Sequence, residues 1–558
     1  MATQRLPEDA GRAVTDAGTS RRRGGGIQTV RRLITYSLLF AMVAIAAIGL
    51  SGLLGRLLDA GNQLGYRDVG GLAQSLAFTV IAGPLAALLW WLMWRGLGDS
   101  TDRSSIAWGL YLAAMSTVAL VTSTTSLLLT AASLITGDWR PRELATGLVW
   151  AGVWLWHSWM WRHPSKRPTR LVGVGSVIGS AVGLVLWVGG AVTAFGGLLD
   201  TAVLGLGDAI TLGDPWWRSV LQALVWAVGG WIVWWWHWMH DGVRKLHTGF
   251  AEVALVIITG LGAVILCLTG VATALFVLLR LAFDQNDSIP RLLDPLGQAV
   301  AAAALGALVW AYHRGVVARG IEPVRQATRL VTSGVGLAAA ASGVGVIVNS
   351  ILAAVGTPLA DFGVRTLLLG GISALVVGGP IWWVFWKPAA AADPAFIGST
   401  GRRVYLVVVF GVSAIVALIT LLVIGYRVFE FTLDNVSGQI LIDRVRAALG
   451  LLTATGLAAG YHFAIWRSDR SAIEVAPVRH KSIGRVILVT GSDPEPLRLA
   501  IDAATGATVT VTVWMRSDAD GTGATADQLV TALAGVSGER VLVVTGAGGR
   551  IDVIPLKD

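Results

Sequence analysis

The chain has 558 residues, 54% of them hydrophobic and 14% charged, with a mean hydropathy of +0.67. Soluble domains have roughly a quarter of their residues charged, so these values exclude an ordinary water-soluble enzyme and imply a membrane protein. The net charge of +9 is explained by loop topology and contact with anionic lipid headgroups. Nucleic acid is not expected as a partner, because the basic stretch "TSRRRGGGIQTVRR" (19–32) interleaves no aromatics and abuts an apolar run.

Residues 1–32 read as a basic tail, expected to be disordered and cytoplasmic. Apolar runs follow at 33–55, 72–94, 105–136, 145–161, 171–199, 219–239, 249–282, 296–318, 328–357, 364–386, 404–426 and 445–466. About 20 apolar residues suffice to cross roughly 30 Å of hydrocarbon, so the fold class is an all-α polytopic membrane protein of about twelve helices. The first run follows about 30 mostly polar residues and is too long for a signal-peptide core, so it is expected to stay in the chain. The single cysteine, Cys267, can form no internal disulfide and reads as a packing residue.

The runs pair into six repeats. Every second run ends alike, in "LLWWLMWR" (88–95), "WLWHSWMWR" (154–162), "VWWWHWMHD" (233–241), "LVWAYHRG" (308–315), "PIWWVFWK" (380–387) and "AAGYHFAIWR" (458–467). The other runs end on Asp59, Asp138, Asp200, Asp284, Asp361 and Asp434. The transmembrane region, 33–467, therefore divides into helical hairpins at 33–95, 105–162, 171–241, 249–318, 328–387 and 404–467. Consecutive copies start on the same side of the membrane. Lys and Arg favour that side over the opposite loops, 22 against 11, which places both termini in the cytoplasm. The preference for Arg over Lys, with abundant Ala, Gly and Val, suggests a GC-rich bacterial genome and hence a bacterial inner membrane.

Superposing the endings sets Trp90, His157, His237, His313, Trp382 and His462 at one position. Trp94, Trp161, Trp386 and Trp466 follow four residues later in their own copies. Trp is favoured at the membrane interface, where its ring buries and its N–H reaches water. These ten residues are therefore expected to be interfacial anchors at the cytoplasmic ends of the helices. The rival reading lets the four histidines converge on a metal or haem, but two copies carry Trp instead and no second-shell carboxylate is evident. Neither a metal nor a cofactor is expected. Glu252 reads as interfacial, Gln74, Gln222 and Gln298 as interhelical hydrogen-bonding groups, and "GVGSVIGSAVG" (173–183) and "SGVGLAAAASGVGV" (333–346) as close-packing surfaces. No nucleophile–base set is apparent, so no enzymatic activity is expected.

Beyond the last run the pattern changes. Strand-like stretches at 484–490 and 507–515 flank a helix-spaced one at 494–505. A second helix is expected at 526–536 and a closing hairpin at 540–556, which makes 480–558 a small cytoplasmic α/β domain. The glycines of "TGSDPEP" (490–496) and "TGAGGR" (545–550) complete no phosphate-loop pattern and read as turns.

The two-helix unit, with its Asp-terminated first helix and its "WWxxWR" or "W/YHxxxWR" exit, resembles the bacterial integral-membrane repeat catalogued as domain of unknown function 5671. The resemblance covers about residues 30 to 467 and implies no activity. Copies three and four depart from it, with Asp241 and Val317 at the later Trp position. The expected function is a non-enzymatic membrane scaffold or sensor whose C-terminal domain meets a cytoplasmic protein; a transporter or channel for a small or lipid-like solute is the alternative. Reporter fusions at residues 65, 212 and 290 should read as extracytoplasmic and one at 480 as cytoplasmic. A cytoplasmic signal at 212 would refute the hairpin pairing.

Overall fold

A bilayer offers no partner to a backbone amide, so an apolar run that crosses it must satisfy its own amides as a helix. The computed structural model describes residues 10–60, 68–98, 100–204, 215–284, 287–356, 362–390, 397, 399–433, 440–475, 483–491, 493–505, 510–515, 524–536, 538–546 and 549–556. Among them the expected runs form twelve long helices. The first six are α1 (Ala10–Leu58), α2 (Val69–Gly96), α3 (Ile106–Ile135), α4 (Pro141–Arg162), α5 (Val174–Leu204) and α6 (Trp216–Trp235). The rest are α7 (Gly249–Phe283), α8 (Leu296–Ala318), α9 (Glu322–Gly356), α10 (Phe362–Ala390), α11 (Thr400–Leu433) and α12 (Leu441–Val475). Eleven are long and apolar enough to span a membrane, which makes this a multi-pass membrane protein. The exception is α4, whose hydropathy is lowered by five tryptophans, His157 and charges at both ends.

The first helix begins within the stretch expected as a basic tail. α1 starts at Ala10 and continues without a break into the first apolar run, because no proline follows Pro7 to stop it; residues 1–9 lie outside the described residues. Helix starts carry their own caps. Ser105 accepts from the Trp108 N–H at 3.3 Å. The Asp68 carboxylate accepts from the Gly71 N–H at 2.9 Å and from Arg56 at 2.8 Å, and these two groups hold it below the usual carboxylate range.

Each odd helix from α1 to α9 lies between two even ones, its own hairpin partner and the even helix of the next hairpin: α1 meets α4, α3 meets α6, α5 meets α8 and α7 meets α10. α9 meets α12 where Gly345 and Gly450 face each other's carbonyls. Within the third, fourth and fifth hairpins the backbones nearly touch. A methyl group on Gly230, Gly270 or Gly343 would run into the backbone nitrogen of Trp187, Ala303 or Leu375. The far ends of the odd helices are fastened to the next hairpin: Gln222 Nε2 donates to the Ala132 carbonyl at 3.2 Å, the Gly297 N–H to Asp200 at 3.1 Å, and the Thr366 hydroxyl to the buried Asp284 at 3.0 Å. The repeated aspartates thus serve as joints between hairpins in at least these two copies; Asp361 and Asp434 lie outside the described residues.

The chain divides into two units, Met1–Phe463 and Ala464–Asp558. In the second, a four-stranded sheet takes the order β2-β1-β3-β4, with β1 (Ile483–Thr490) parallel to β2 (Thr510–Met515) and β3 (Gly538–Thr545), and β4 (Ile551–Leu556) antiparallel to β3. Helices α13 (Pro494–Thr505) and α14 (Ala526–Leu533) bury Leu497, Ile501, Leu529 and Leu533 with Val486, Leu488, Val541 and Val543 of the strands. The expected small α/β region is therefore present.

Gly230→Leu should lower stability by about 1–3 kcal/mol or prevent folding, since it overpacks a backbone contact. Gly456→Leu, where a methyl group would meet nothing within 4 Å, should leave the thermal midpoint in detergent unchanged.

Candidate functional site

The four histidines occupy equivalent places and are all buried: His157, His237, His313 and His462 are 2%, 5%, 1% and 0% exposed. An anchor whose polar tip reaches water or a headgroup is thereby corrected at these positions. The reason is the side-by-side placement of even helices, which the sequence does not display. Trp90 of α2 packs edge-on against His157 of α4 at 5.7 Å, and Trp154 of α4 against His237 at 6.1 Å. Trp238, beside α6, approaches His313 of α8 at 5.1 Å, and Trp386 of α10 approaches His462 of α12 at 5.5 Å.

A carbonyl only accepts, so a ring nitrogen facing one carries the proton. Nδ1 of His157, His313 and His462 donates to the carbonyl four residues earlier, that of Val153, Val309 and Ala458, at 2.7, 2.9 and 2.8 Å. The Tyr111 hydroxyl completes His157, 3.0 Å from Nε2. The tryptophans also turn inward. Trp161 Nε1 donates to Ser116 at 3.2 Å and Trp386 Nε1 to the Tyr461 hydroxyl at 2.8 Å. Trp94 stacks on Trp159 at 5.9 Å, Trp382 meets Tyr461 edge-on at 5.4 Å, and Arg470 lies 5.9 Å from the Trp466 ring. Their neighbours Trp91, Trp156, Trp159, Trp235 and Trp383 are the exposed ones and carry the surface that a lipid interface favours.

The third copy differs. Trp236–His240 forms a π-helical turn at the end of α6, and such turns often mark functional sites. Here His237 Nδ1 bonds the Asp241 carboxylate at 2.7 Å instead of a backbone carbonyl. Asp241 also accepts from Arg162 of α4 at 2.7 Å and from the Ser176 hydroxyl in the first turn of α5 at 3.2 Å. His237 Nε2 is buried without a hydrogen-bond partner. These groups, with Ser158, His240 and Trp161, line a cavity of about 350 Å³ between the second and third hairpins. The second-shell carboxylate judged absent from the sequence is thus present for one histidine. Its signal was Asp241 itself, four residues after His237, a spacing that brings two side chains together on a helix.

Other cavities are present among the described residues. One of about 520 Å³ is lined by Arg244, Lys245, His247, Arg319 and Glu252. Two are apolar and share Gly334, Ala338, Ser342 and Val346 of α9: about 910 Å³ against α7 and α10, and about 570 Å³ against α11 and α12. No three His, Cys, Asp or Glu side chains gather as a metal-holding group among the described residues.

This is a multi-pass membrane protein built from repeated helical hairpins joined by backbone contact and by aromatic–histidine packing. Residues 32–156 and 326–457 each match the family model described as Domain of unknown function (DUF5671), and over these two segments the chain is similar to that family. Each match spans four helices, so the first and last pairs of hairpins are covered while the middle pair and the α/β unit, expected respectively inside and outside the resemblance, are not matched. No curated protein and no solved structure matches the chain.

Asp241→Ala would strand the buried His237 donor and should cost about 1–3 kcal/mol. Arg162→Ala removes a partner whose side chain is 53% exposed and should cost under about 1 kcal/mol. Thermal unfolding of the two purified variants checks the order.

Proposed function

We propose that the protein is a non-enzymatic scaffold or sensor of a bacterial inner membrane, with both termini cytoplasmic. In this reading the hairpins form a platform that contacts anionic headgroups, and the α/β unit meets a cytoplasmic protein. The observation that carries it is the glycine contact within the third, fourth and fifth hairpins: helices whose backbones touch leave no passage between them. Ion and proton pathways retain costly ionisable groups at mid-membrane, whereas both cavities midway along α9 are lined without one. In the α/β unit, Trp514 on the edge strand β2 is 59% exposed, and exposed aromatics beside an unpaired strand edge suit a protein partner.

A second reading, carriage of a lipid-like solute, is supported by the same two apolar cavities, whose size is that of ligand pockets. Reconstitution in vesicles separates the two. The scaffold reading expects proton, potassium and fluorescent-phospholipid movement no faster than in protein-free vesicles; phospholipid movement that depends on the protein would replace it with transport.

A further inference from the structure

We propose that copies of this chain associate head to tail in the membrane, with α2 of one copy seated on α11 of the next. This goes beyond the platform reading and holds whether the chain is a scaffold or a transporter.

The array leaves two complementary places open. Each odd helix from α1 to α9 carries the even helix of the following hairpin, whereas among the described helices α11 meets no even helix of a later hairpin and α2 no odd helix of an earlier one. Of the eleven apolar spans these two bury the smallest shares of their most apolar stretch, 6% for α11 and 11% for α2. Two crossings return the chain to the side it left, so every hairpin enters the bilayer in the same sense. A second copy inserted the same way therefore presents α2 the right way up for α11.

An open apolar face alone names no partner, since lipid can cover it. The face of α11, however, is built like the junctions already made within the chain. Those junctions set a glycine of the odd helix beneath the incoming even helix: Gly55 against Ala145, Gly196 against Gln298 and Gly345 against Gly450. Along α11, Gly411, Ile415, Leu418, Leu422, Gly425 and Phe429 fall on one stripe by their alternating spacing of four and three. A methyl group on either glycine would meet nothing within 4 Å, and the four larger side chains are 60 to 68% exposed.

Gln74 supplies an independent observation. Gln222 of α6 and Gln298 of α8 each stand fifteen residues before the exit histidine, and each reaches the odd helix of the hairpin before: Gln222 donates to the Ala132 carbonyl of α3, and Gln298 lies against Gly196 of α5. Gln74 stands sixteen before Trp90, the extra residue being the one that the π turn Phe78–Ala82 inserts. It is the matching residue of α2. Its side chain is exposed and makes no hydrogen bond among the described residues, which is costly for an amide against hydrocarbon. In a head-to-tail pair it reaches residues 428–430 of the neighbour's α11. These lie four to six before Asp434, as Gly196 and Ala132 lie four and six before Asp200 and Asp138. Such a contact joins two different surfaces and builds rings or rows, not two-fold pairs.

Two differently tagged full-length chains, both carrying Cys267→Ala, are co-expressed and oxidised in the membrane. One bears Leu85→Cys and the other Leu418→Cys or Leu422→Cys, all at exposed positions. The mixed disulfide should form in preference to both like pairs. It should also exceed the product of Leu85→Cys with Ile232→Cys, an exposed residue of α6 that stands five before its exit position, as Leu85 does. In a second measurement, energy transfer between labelled copies is followed as vesicle lipid is increased. Gln74→Leu should raise the dissociation constant about threefold, the worth of one interhelical hydrogen bond, and leave the thermal midpoint unchanged. A predominant like pair from Leu85→Cys, cross-linking no better than with Ile232→Cys, or a dissociation constant unmoved by Gln74→Leu would overturn the assignment.

Discussion

Inside hydrocarbon, two helices gain little by hiding leucines from their surroundings, because lipid tails are as apolar as the side chains. What remains is dispersion, which falls off so steeply that it rewards only surfaces in contact. Removing the side chain where two helices cross lets one backbone rest on the other, and α5–α6, α7–α8 and α9–α10 meet this way at Gly230, Gly270 and Gly343. The alternation of odd and even helices depends on these contacts. A stiff, narrow hairpin can carry a second even helix on its free flank; a loosely packed one would leave that flank undefined.

The same alternation explains the row of buried histidines. Once even helices stand side by side, each of the four histidines meets an aromatic ring of the preceding even helix or its extension. A buried imidazole must then satisfy its N–H within its own helix, which His157, His313 and His462 do with the carbonyl one turn back. Where the third copy departs from the repeat, the ring engages Asp241 instead, the helix widens into a π turn and a polar cavity opens beside it. One substitution in a repeated motif thus coincides with a cluster of polar side chains along the packed ends.

Element identity was highly legible in the sequence. All twelve runs emerged as helices because 20 or more apolar residues admit no other backbone in a membrane, and the alternating β-branched stretches after residue 480 emerged as strands. Gln222 was readable as an interhelical hydrogen-bonding residue, and its amide reaches α3. The neighbour of each helix was not readable. That α3 meets α6 as well as α4 follows from crossing geometry, which helical periodicity does not encode, and burial of the histidines depended on it.

Because each odd helix reaches forward to the next hairpin, stability in the membrane region is a nearest-neighbour property, as in a stack of soluble repeats. The array has polarity: its first even helix, α2, meets no odd helix of an earlier hairpin, and its last odd helix, α11, no even helix of a later one. α11 accordingly shows apolar side chains around most of its circumference, from Val404 to Leu433. That helix is an open growing end, and a duplicated hairpin could be appended there without altering any contact within the earlier copies. A chain so built can change its number of repeats by gene duplication more readily than a closed bundle, whose every helix already has a neighbour on each side.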